Sequence, residues 1–526
     1  MSSTGDSSTL HRAFLLLVAT SGLIYLFGVA HLWTFTADDA YIVARYAENL
    51  VDHGALEFNL GERIAAFTSP LHVLLEAALY RLTGSSIPSY KVVALLAVLA
   101  AVALALRSVR PSLHGRSIVL VVLLLSPCVI LWTFGGLETP LLFLLVTAIT
   151  LAARGPEPPG LGRLCAVFVL AGLCLTTRYD SVLFTVPVVL EASLRCRSPK
   201  RLGLAAVAGA VLPVAWFLFA WRYYGDLMPT SFHVKMPGLG EVELLRNASY
   251  LAQYLTVVGL IPFFLLLAAG RGRRRSLAEV VTVEVRRSWG LYLGLVAMIG
   301  YGFWVATTHM LFSFRYFVPY LPAAALLLSD LYGEGAGRLA EEDAGHERPT
   351  VGFLAAALVL SLFQGYQIFH TYHHSMNGIV SVGEYLETGS KRYELGMMAM
   401  REELAGEIRR HWESRGGDGA PSIFTTAGGV LPYTYRDAHF LERLVSYRAR
   451  CPRARARLAV FADYVHFVTP RHGKVSDRLA KPIERYELVA SRLVVYDGVI
   501  ENFVVFYDPS PRPSPLPARV KDACGP

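Results

Sequence analysis

Residues 14–41 read FLLLVATSGLIYLFGVAHLWTFTADDAY. The part from Phe14 to Trp33 carries no Asp, Glu, Lys or Arg, and it is long enough to cross ~30 Å of hydrocarbon. It gives way at once to Thr36-Ala37-Asp38-Asp39-Ala40-Tyr41, two adjacent acids at the edge of an apolar helix. A short polar leader with His11 and Arg12 precedes the run, but no small-residue cleavage site follows it. The run therefore reads as a retained first helix with its N-terminus in the cytoplasm.

Similar blocks recur near 88–107, 117–135, 139–153, 162–177, 180–194, 203–221, 251–270, 289–308, 314–332 and 350–370. Of 526 residues, 54% are hydrophobic and only 17% charged, with a mean hydropathy of +0.42. Soluble proteins average about 25% charged residues, so a disordered chain, a coiled coil and an ordinary soluble enzyme are all excluded. Leu71–Leu82, which holds His72 and Glu76, is too short to span and is expected to be interfacial or re-entrant. Without it there are eleven spans, and the inferred cytoplasmic loops are basic. They carry Arg107, Arg110 and Arg116; Arg195, Arg197, Lys200 and Arg201; and Arg271, Arg273, Arg274, Arg275, Arg286 and Arg287. The expectation is a polytopic α-helical membrane protein with about eleven spans, N-in and C-out, in the cytoplasmic membrane. The net charge of +8 follows from loop orientation and implies no nucleic-acid partner.

After about His370 the composition changes. Glu394–Trp412 has helical spacing, and strand-like runs follow at Ser422–Thr426, Leu458–Val468, Tyr486–Val495 and Val499–Tyr507. Asp497-Gly498 between the last two is a hairpin signal. The organisation expected is a transmembrane catalytic part over 1–370, in which 34–87 form the first outer loop. An extracytoplasmic mixed α/β domain follows over 371–509, then a Pro-rich disordered tail over 510–526. Six cysteines show no CxxC or His-paired spacing; Cys451 and Cys524, both on the oxidising side, are candidates to pair.

In this topology the unusual polar groups gather at the outer ends of the spans. Behind Asp38 and Asp39 runs an amphipathic stretch with apolar pairs Ile42/Val43, Tyr46/Ala47 and Leu50/Val51, ended by Gly54; a helix along the outer interface is expected. Asp38 and Asp39 would suit a helix N-terminus, but adjacent acids at a lipid boundary also suit catalysis. Glu138, in Gly135-Gly136-Leu137-Glu138-Thr139-Pro140, either caps a helix or is functional by virtue of its place. Arg178 and Asp180 share the next outer turn, either as a surface pair or as part of a site. Further outer turns hold Asp226, Lys235, His309 and Arg315. Acids and cations facing one compartment suit a reaction with a phosphate leaving group. Lys235, Arg315 and Arg178 would bind the phosphate, and a carboxylate would take a proton from an attacking hydroxyl. No nucleotide is expected on that side, so the phosphate would come on a lipid, as in a polyprenyl-phosphate sugar.

The motifs Asp38-Asp39-Ala40-Tyr41-Ile42, Arg45-Tyr46-Ala47 and Phe58-Asn59-Leu60-Gly61-Glu62-Arg63 resemble the first outer loop of GT-C glycosyltransferases. The branch they look most like is the mycobacterial terminal β-(1→2)-arabinofuranosyltransferase (AftB-like) group with its uncharacterised bacterial relatives. Gly136-Leu137-Glu138-Thr139-Pro140, Gly225-Asp226-Leu227-Met228-Pro229 with Lys235, Arg315-Tyr316 and Ala427-Gly428-Gly429-Val430-Leu431-Pro432-Tyr433 resemble later blocks in the same order. Thr230-Ser231 and Ala438–Arg443 depart from that pattern. The resemblance implies an inverting transferase that uses a polyprenyl-phosphate sugar on the extracytoplasmic face, with Asp38 or Asp39 as base. Glu138, Tyr41, Asp180, Asp226 and His309 are expected to support the site or bind acceptor, an envelope glycan or lipid-linked saccharide. The acids are hard ligands that suit a divalent metal, but the phosphate already has cationic partners, so a metal-independent reaction with no cofactor is expected. The alternative is a transporter or flippase of a lipid-linked saccharide. Transporters usually carry repeats and midplane sites, and neither is visible in this sequence.

Overall fold

The apolar run that opens the chain is helix α1 (Ser3–Leu32), and the acids after it begin α2 (Asp38–His53). α2 closes at Gly54, whose φ of 66° lies in the left-handed region that ends helices and favours glycine. α3 (Pro70–Thr83) packs on α2 and on α4 (Ile87–Ser108). The bundle continues through α5 (Leu113–Val119), α6 (Pro127–Phe134), α7 (Thr139–Ala153), α8 (Leu161–Thr177), α9 (Val182–Arg195), α10 (Pro199–Tyr224), α11 (Thr230–Lys235), α12 (Trp289–Val305) and α13 (Leu321–Gly337). The computed structural model describes residues 3–33, 35–109, 113–154, 158–235, 282, 285–305, 315–337, 357, 359, 403–416, 421–425, 429–441, 458–466, 487–496 and 499–507. The expected spans at 251–270 and 350–370 lie outside the described residues, apart from Ala357 and Val359. So do Cys451, Cys524 and the Pro-rich tail.

α4 and α10 are long and apolar enough to cross a membrane: 22 and 26 residues, about 33 and 39 Å at 1.5 Å per residue. The segment 117–135, expected as one span, is instead two helical pieces. A π-helical turn (Leu120–Leu124) follows α5, and the chain bends by 49° before α6. Pro127 explains the break, since it cannot donate into the preceding turn and biases Ser126 away from helix. The other apolar helices are shorter. Leu204, Val207, Val211, Val214, Leu218 and Trp221 on α10 are exposed, as a lipid-facing surface requires. Inside the bundle, glycines bring helices together. A side chain on Gly172 of α8 or Gly209 of α10 would overlap the other helix's backbone, and Gly290 and Gly294 of α12 lie as close to α9.

The last part of the chain carries a five-stranded mixed sheet of order β2-β1-β3-β5-β4. β1 (Ser422–Thr425) runs parallel to β2 (His439–Leu441) and β3 (Leu458–His466). β4 (Glu487–Tyr496) and β5 (Val499–Tyr507) form an antiparallel pair across Asp497-Gly498, and β5 also pairs with β3. The sheet is not merely tethered to the bundle. Leu404, Ile408, Ile423, Leu431 and Phe440 share one apolar core with Ile42, Tyr46, Phe58, Phe67 and Trp216.

That shared core corrects the expectation for α2. Its polar face does not lie in solvent: Ala40 to Glu48 are all buried. The physical reason is that residues 429–441 cover it, and Arg45 and Glu48 are bonded to that segment.

Candidate active site

Glu138 is the hub of a buried charge cluster. Its Oε1 accepts from Arg178 Nη1 at 3.1 Å and from Arg315 Nη2 at 3.2 Å. Arg315 Nη1 donates to Asp39 Oδ2 at 3.2 Å, so one guanidinium bridges the second residue of α2 and the acid that precedes α7. Arg178 closes the other side with a two-pronged bond to Asp180, Nε to Oδ1 at 3.0 Å and Nη2 to Oδ2 at 2.5 Å. The cluster thus joins four chain segments, in the order Asp39, Arg315, Glu138, Arg178, Asp180. Two aromatic rings back it: Tyr316 lies 4.6 Å from the Arg178 guanidinium carbon and Trp132 5.6 Å from that of Arg315.

The geometry does not show the capping and surface-pair arrangements that the sequence offered as alternatives. Glu138 occupies the residue before α7 but makes no side-chain cap; its carboxylate serves the two arginines instead. The residue before α2 is Ala37, so neither Asp38 nor Asp39 is the cap residue, although both lie in the positive first turn. Arg178 and Asp180 are no surface pair, since Arg178 is only 6% exposed. Burial alone would raise the Glu138 carboxyl, but the Arg315 and Arg178 guanidiniums outweigh it and hold the group at about 2.

Backbone contacts set these side chains in register. Gly136 has φ 71°, and a Cβ there would come within 2.9 Å of Ala40 Cβ, so only glycine lets this turn touch α2. Ala37 N donates to Gly135 O at 3.0 Å. Tyr90 Oη donates to Leu137 O at 2.9 Å, fixing the residue before Glu138. Lys91 holds the link between α1 and α2. Its Nζ donates to Trp33 O (3.0 Å), Phe35 O (2.6 Å) and Thr36 Oγ1 (2.7 Å). The sequence reading missed Tyr90 and Lys91, although a lysine near the start of an apolar helix is itself a signal.

The segment 429–441 forms a further wall. Gly429 lies against the Asp38 carboxylate so closely that any Cβ would overlap it. Arg45 reaches across from α2. Its Nε donates to Phe58 O at 2.8 Å, one terminal nitrogen to Pro432 O, and the other to Arg436 O (3.2 Å) and Ala438 O (3.3 Å). Asn59 and Phe440 exchange two bonds, Nδ2 to O at 2.8 Å and N to Oδ1 at 3.0 Å. Glu48 pairs with Arg436 and accepts from Tyr433 Oη at 2.7 Å, while Glu62 lies 3.2 Å from His439 Nε2. Tyr41 is buried with its ring 5.2 Å from that of Tyr433.

The remaining expected residues stand apart or outside the description. Asp226 is exposed and its Oδ1 accepts from Met228 N at 3.0 Å, an ordinary turn bond. Lys235 ends α11, but its side chain is outside the described residues, and so is His309. A buried pair that the sequence reading did not weigh for chemistry, His72 and Glu76 on α3, lies 3.6 Å apart with both side chains fully buried. The His72 ring packs on Tyr90 at 4.2 Å, just behind Leu137-Glu138.

This helical membrane fold has a counterpart among solved structures. The chain shares the fold of ArnT from Cupriavidus metallidurans, both bound to undecaprenyl phosphate and in the apo state. Each comparison has TM-score 0.55 and 13% identity, and covers 93% of this chain and 97% of that one. In sequence it resembles the Terminal beta-(1->2)-arabinofuranosyltransferase of Mycobacterium tuberculosis, 27% identical over 276 residues, or 48% of this chain and 44% of that protein. The match therefore spans less than half the length of that curated relative. No family model matches the chain.

Proposed function

We propose that the chain is a glycosyltransferase that moves a sugar, with inversion, from a polyprenyl-phosphate donor to a hydroxyl of an envelope glycan or lipid-linked acceptor. The observation that carries the reading is Arg315. It bridges Asp39 and Glu138 and still leaves its buried Nε without a partner among the described residues. A buried unmatched N–H is costly, and a phosphate oxygen of the donor would satisfy it. The likeness to ArnT, solved with undecaprenyl phosphate, supports a lipid-phosphate donor, and the likeness to the mycobacterial transferase supports sugar transfer.

In this reading Arg315, with Lys235, takes the donor phosphate. Arg178 has all three nitrogens committed to Asp180 and Glu138, so it positions Glu138 rather than binding phosphate. Asp39 holds Arg315 in place for the phosphate, and the adjacent Asp38, in the first turn of α2, is assigned as base. The acceptor hydroxyl oxygen forms a bond to the anomeric carbon and its proton passes to Asp38. The bond from that carbon to the phosphate oxygen breaks, and polyprenyl phosphate leaves with its charge on Arg315. Attack opposite the phosphate inverts the configuration. With guanidinium answering the charge, the step is expected to run without a divalent metal.

The basic loops favour an extracytoplasmic site. Arg195 at the end of α9 donates to Arg287 O at 2.7 Å, so these two basic segments meet at the end of α9 opposite Asp180. The experiment supplies purified full-length protein with radiolabelled polyprenyl-phosphate sugars and membrane glycan acceptors, with and without chelator. Labelled glycan together with free polyprenyl phosphate is the expected result. Movement of labelled lipid across vesicles without transfer would favour the transporter reading.

A further inference from the structure

We propose that His72 and Glu76 are positioning residues of the donor site: acting through Tyr90, they hold the Leu137-Glu138 peptide, and with it the carboxylate that orients Arg315 for the donor phosphate. The inference rests on the assignment of Arg315 to the phosphate and extends it to the side chains behind Glu138.

Stability does not explain this pair. Both side chains are fully buried on α3, with His72 Nε2 3.6 Å from Glu76 Oε1, and none of their four polar atoms has a hydrogen-bond partner among the described residues. Polar atoms buried in that condition are costly. Replacing a buried ion pair by apolar groups of like volume is often neutral or stabilising. Burial pushes the Glu76 carboxyl up, the His72 ring beside it pulls it back, and Glu48 of α2 adds to the upward push.

Its place does explain it. The His72 ring packs on the Tyr90 ring at 4.2 Å, with 50° between the planes, and Tyr90 Oη donates to Leu137 O at 2.9 Å. The next residue is Glu138, whose Oε1 accepts from Arg178 and Arg315 alike. A line of contacts thus runs from α3, across the start of α4, to the turn before α7. The electrostatics run the same way. Against burial, the Glu138 carboxylate is kept ionised by Arg315, then Arg178, then His72. The groups facing the pair are Glu48 from α2, Tyr90 from α4 and Glu138 ahead of α7. A carboxylate tethered through its main chain and charged in this way presents one oxygen to two guanidiniums, and the placement of Arg315 follows from it.

The test compares full-length wild type, Tyr90→Phe and the pair replacement His72→Phe with Glu76→Leu in lipid nanodiscs, each also in a Glu138→Gln background. Two readouts are taken: binding of undecaprenyl phosphate by tryptophan fluorescence, and melting temperature against pH. The pair replacement should melt no lower than wild type at neutral pH. It should nevertheless bind undecaprenyl phosphate about fivefold more weakly, and less than about twofold more weakly in the Glu138→Gln background. Tyr90→Phe, which loses only the bond to Leu137 O, should weaken binding in the same direction. The part of the acid loss of stability that Glu138→Gln abolishes should begin at higher pH in the pair replacement, since one charge favouring the Glu138 carboxylate is gone. Unchanged affinity would overturn the proposal, and so would an equal loss in the Glu138→Gln background. A fall in affinity matched by a fall in melting temperature would also overturn it, by marking a structural role alone. Should the pair replacement not fold, His72→Gln with Glu76→Gln is read by the same affinity criteria. If wild type itself does not bind undecaprenyl phosphate, the donor reading falls and the acid window decides the positioning: an upward move upholds it and an unmoved window overturns it.

Discussion

Two buried ionic networks hang on the loop after α1, and they differ in how completely they are satisfied. At the seam with residues 429–441, Arg45 gives every nitrogen to a main-chain carbonyl and faces no carboxylate in that set. At the other network, Arg315 gives two nitrogens to carboxylates and keeps Nε unmatched among the described residues, while the side chain of its partner Asp39 is 33% exposed. The first arrangement is closed and does what a structural strut must. The second has hydrogen-bonding capacity and solvent access left over, which is what a substrate needs. Burial pulls the Arg45 guanidinium down to about 10, still charged at neutral pH, so the seam tolerates a buried cation by surrounding it with carbonyl dipoles.

The contrast is broken most forcefully at Arg45. Arg45→Met keeps the apolar stem but strands four carbonyls, and the expected loss is about 3–5 kcal/mol of stability. Thermal unfolding and limited proteolysis check it, with early cleavage around 403–441. If Arg45→Met is as stable as wild type, the seam is not a strut.

Much of this was legible in the sequence, for reasons that differ by region. Apolar length placed α1, α4 and α10, and the alternating runs with Asp497-Gly498 placed β4 and β5, because these signals are local. The acids and cations of the cluster were also legible, because charge beside an apolar helix is conspicuous. Their partners were not: which carboxylate meets which guanidinium depends on how four distant segments pack. Arg45 and Glu48 read as the wet face of an amphipathic helix, since nothing local reveals that residues 429–441 cover them. The break at Ser126–Pro127 was written in the proline and was passed over inside an apolar block. Gly429 belonged to a quoted motif, but its contact with Asp38 exists only in the fold.

The next effect in size falls on the open network. Glu138→Gln removes the charge that both arginines face, and its depressed carboxyl is worth on the order of 3 kcal/mol by linkage. The sign follows from the direction of the shift. A folded-state value of about 2 against an ordinary carboxylate means the contribution is complete above pH ~4.5 and is lost as pH falls toward 2. Wild type should therefore lose stability over that acid window and Glu138→Gln should lose less, as melting temperature against pH would record. Identical acid slopes would place the Glu138 charge outside the stabilising network.

A smaller effect separates fork from point charge. Arg315→Lys retains the cation but cannot span Asp39 and Glu138 at once, so undecaprenyl phosphate binding should weaken roughly tenfold, about 1.4 kcal/mol. Equal binding by the lysine variant would reduce Arg315 to a simple charge. The smallest effect is expected at the rim. The Arg63 side chain is 65% exposed beside Glu57 at 3.6 Å, and Arg63→Ala should change stability by no more than ~1 kcal/mol. A larger change there would mean that exposure does not separate the two kinds of contact.

The central claim, that Asp38 is the base of a glycosyl transfer, is tested most directly by single-turnover transfer from a polyprenyl-phosphate sugar with wild type, Asp38→Asn and Asp39→Asn. Asp38→Asn should bind undecaprenyl phosphate normally and transfer roughly 10²–10⁴-fold more slowly. Asp39→Asn should chiefly weaken donor binding by releasing Arg315. Full transfer by Asp38→Asn would contradict the assignment.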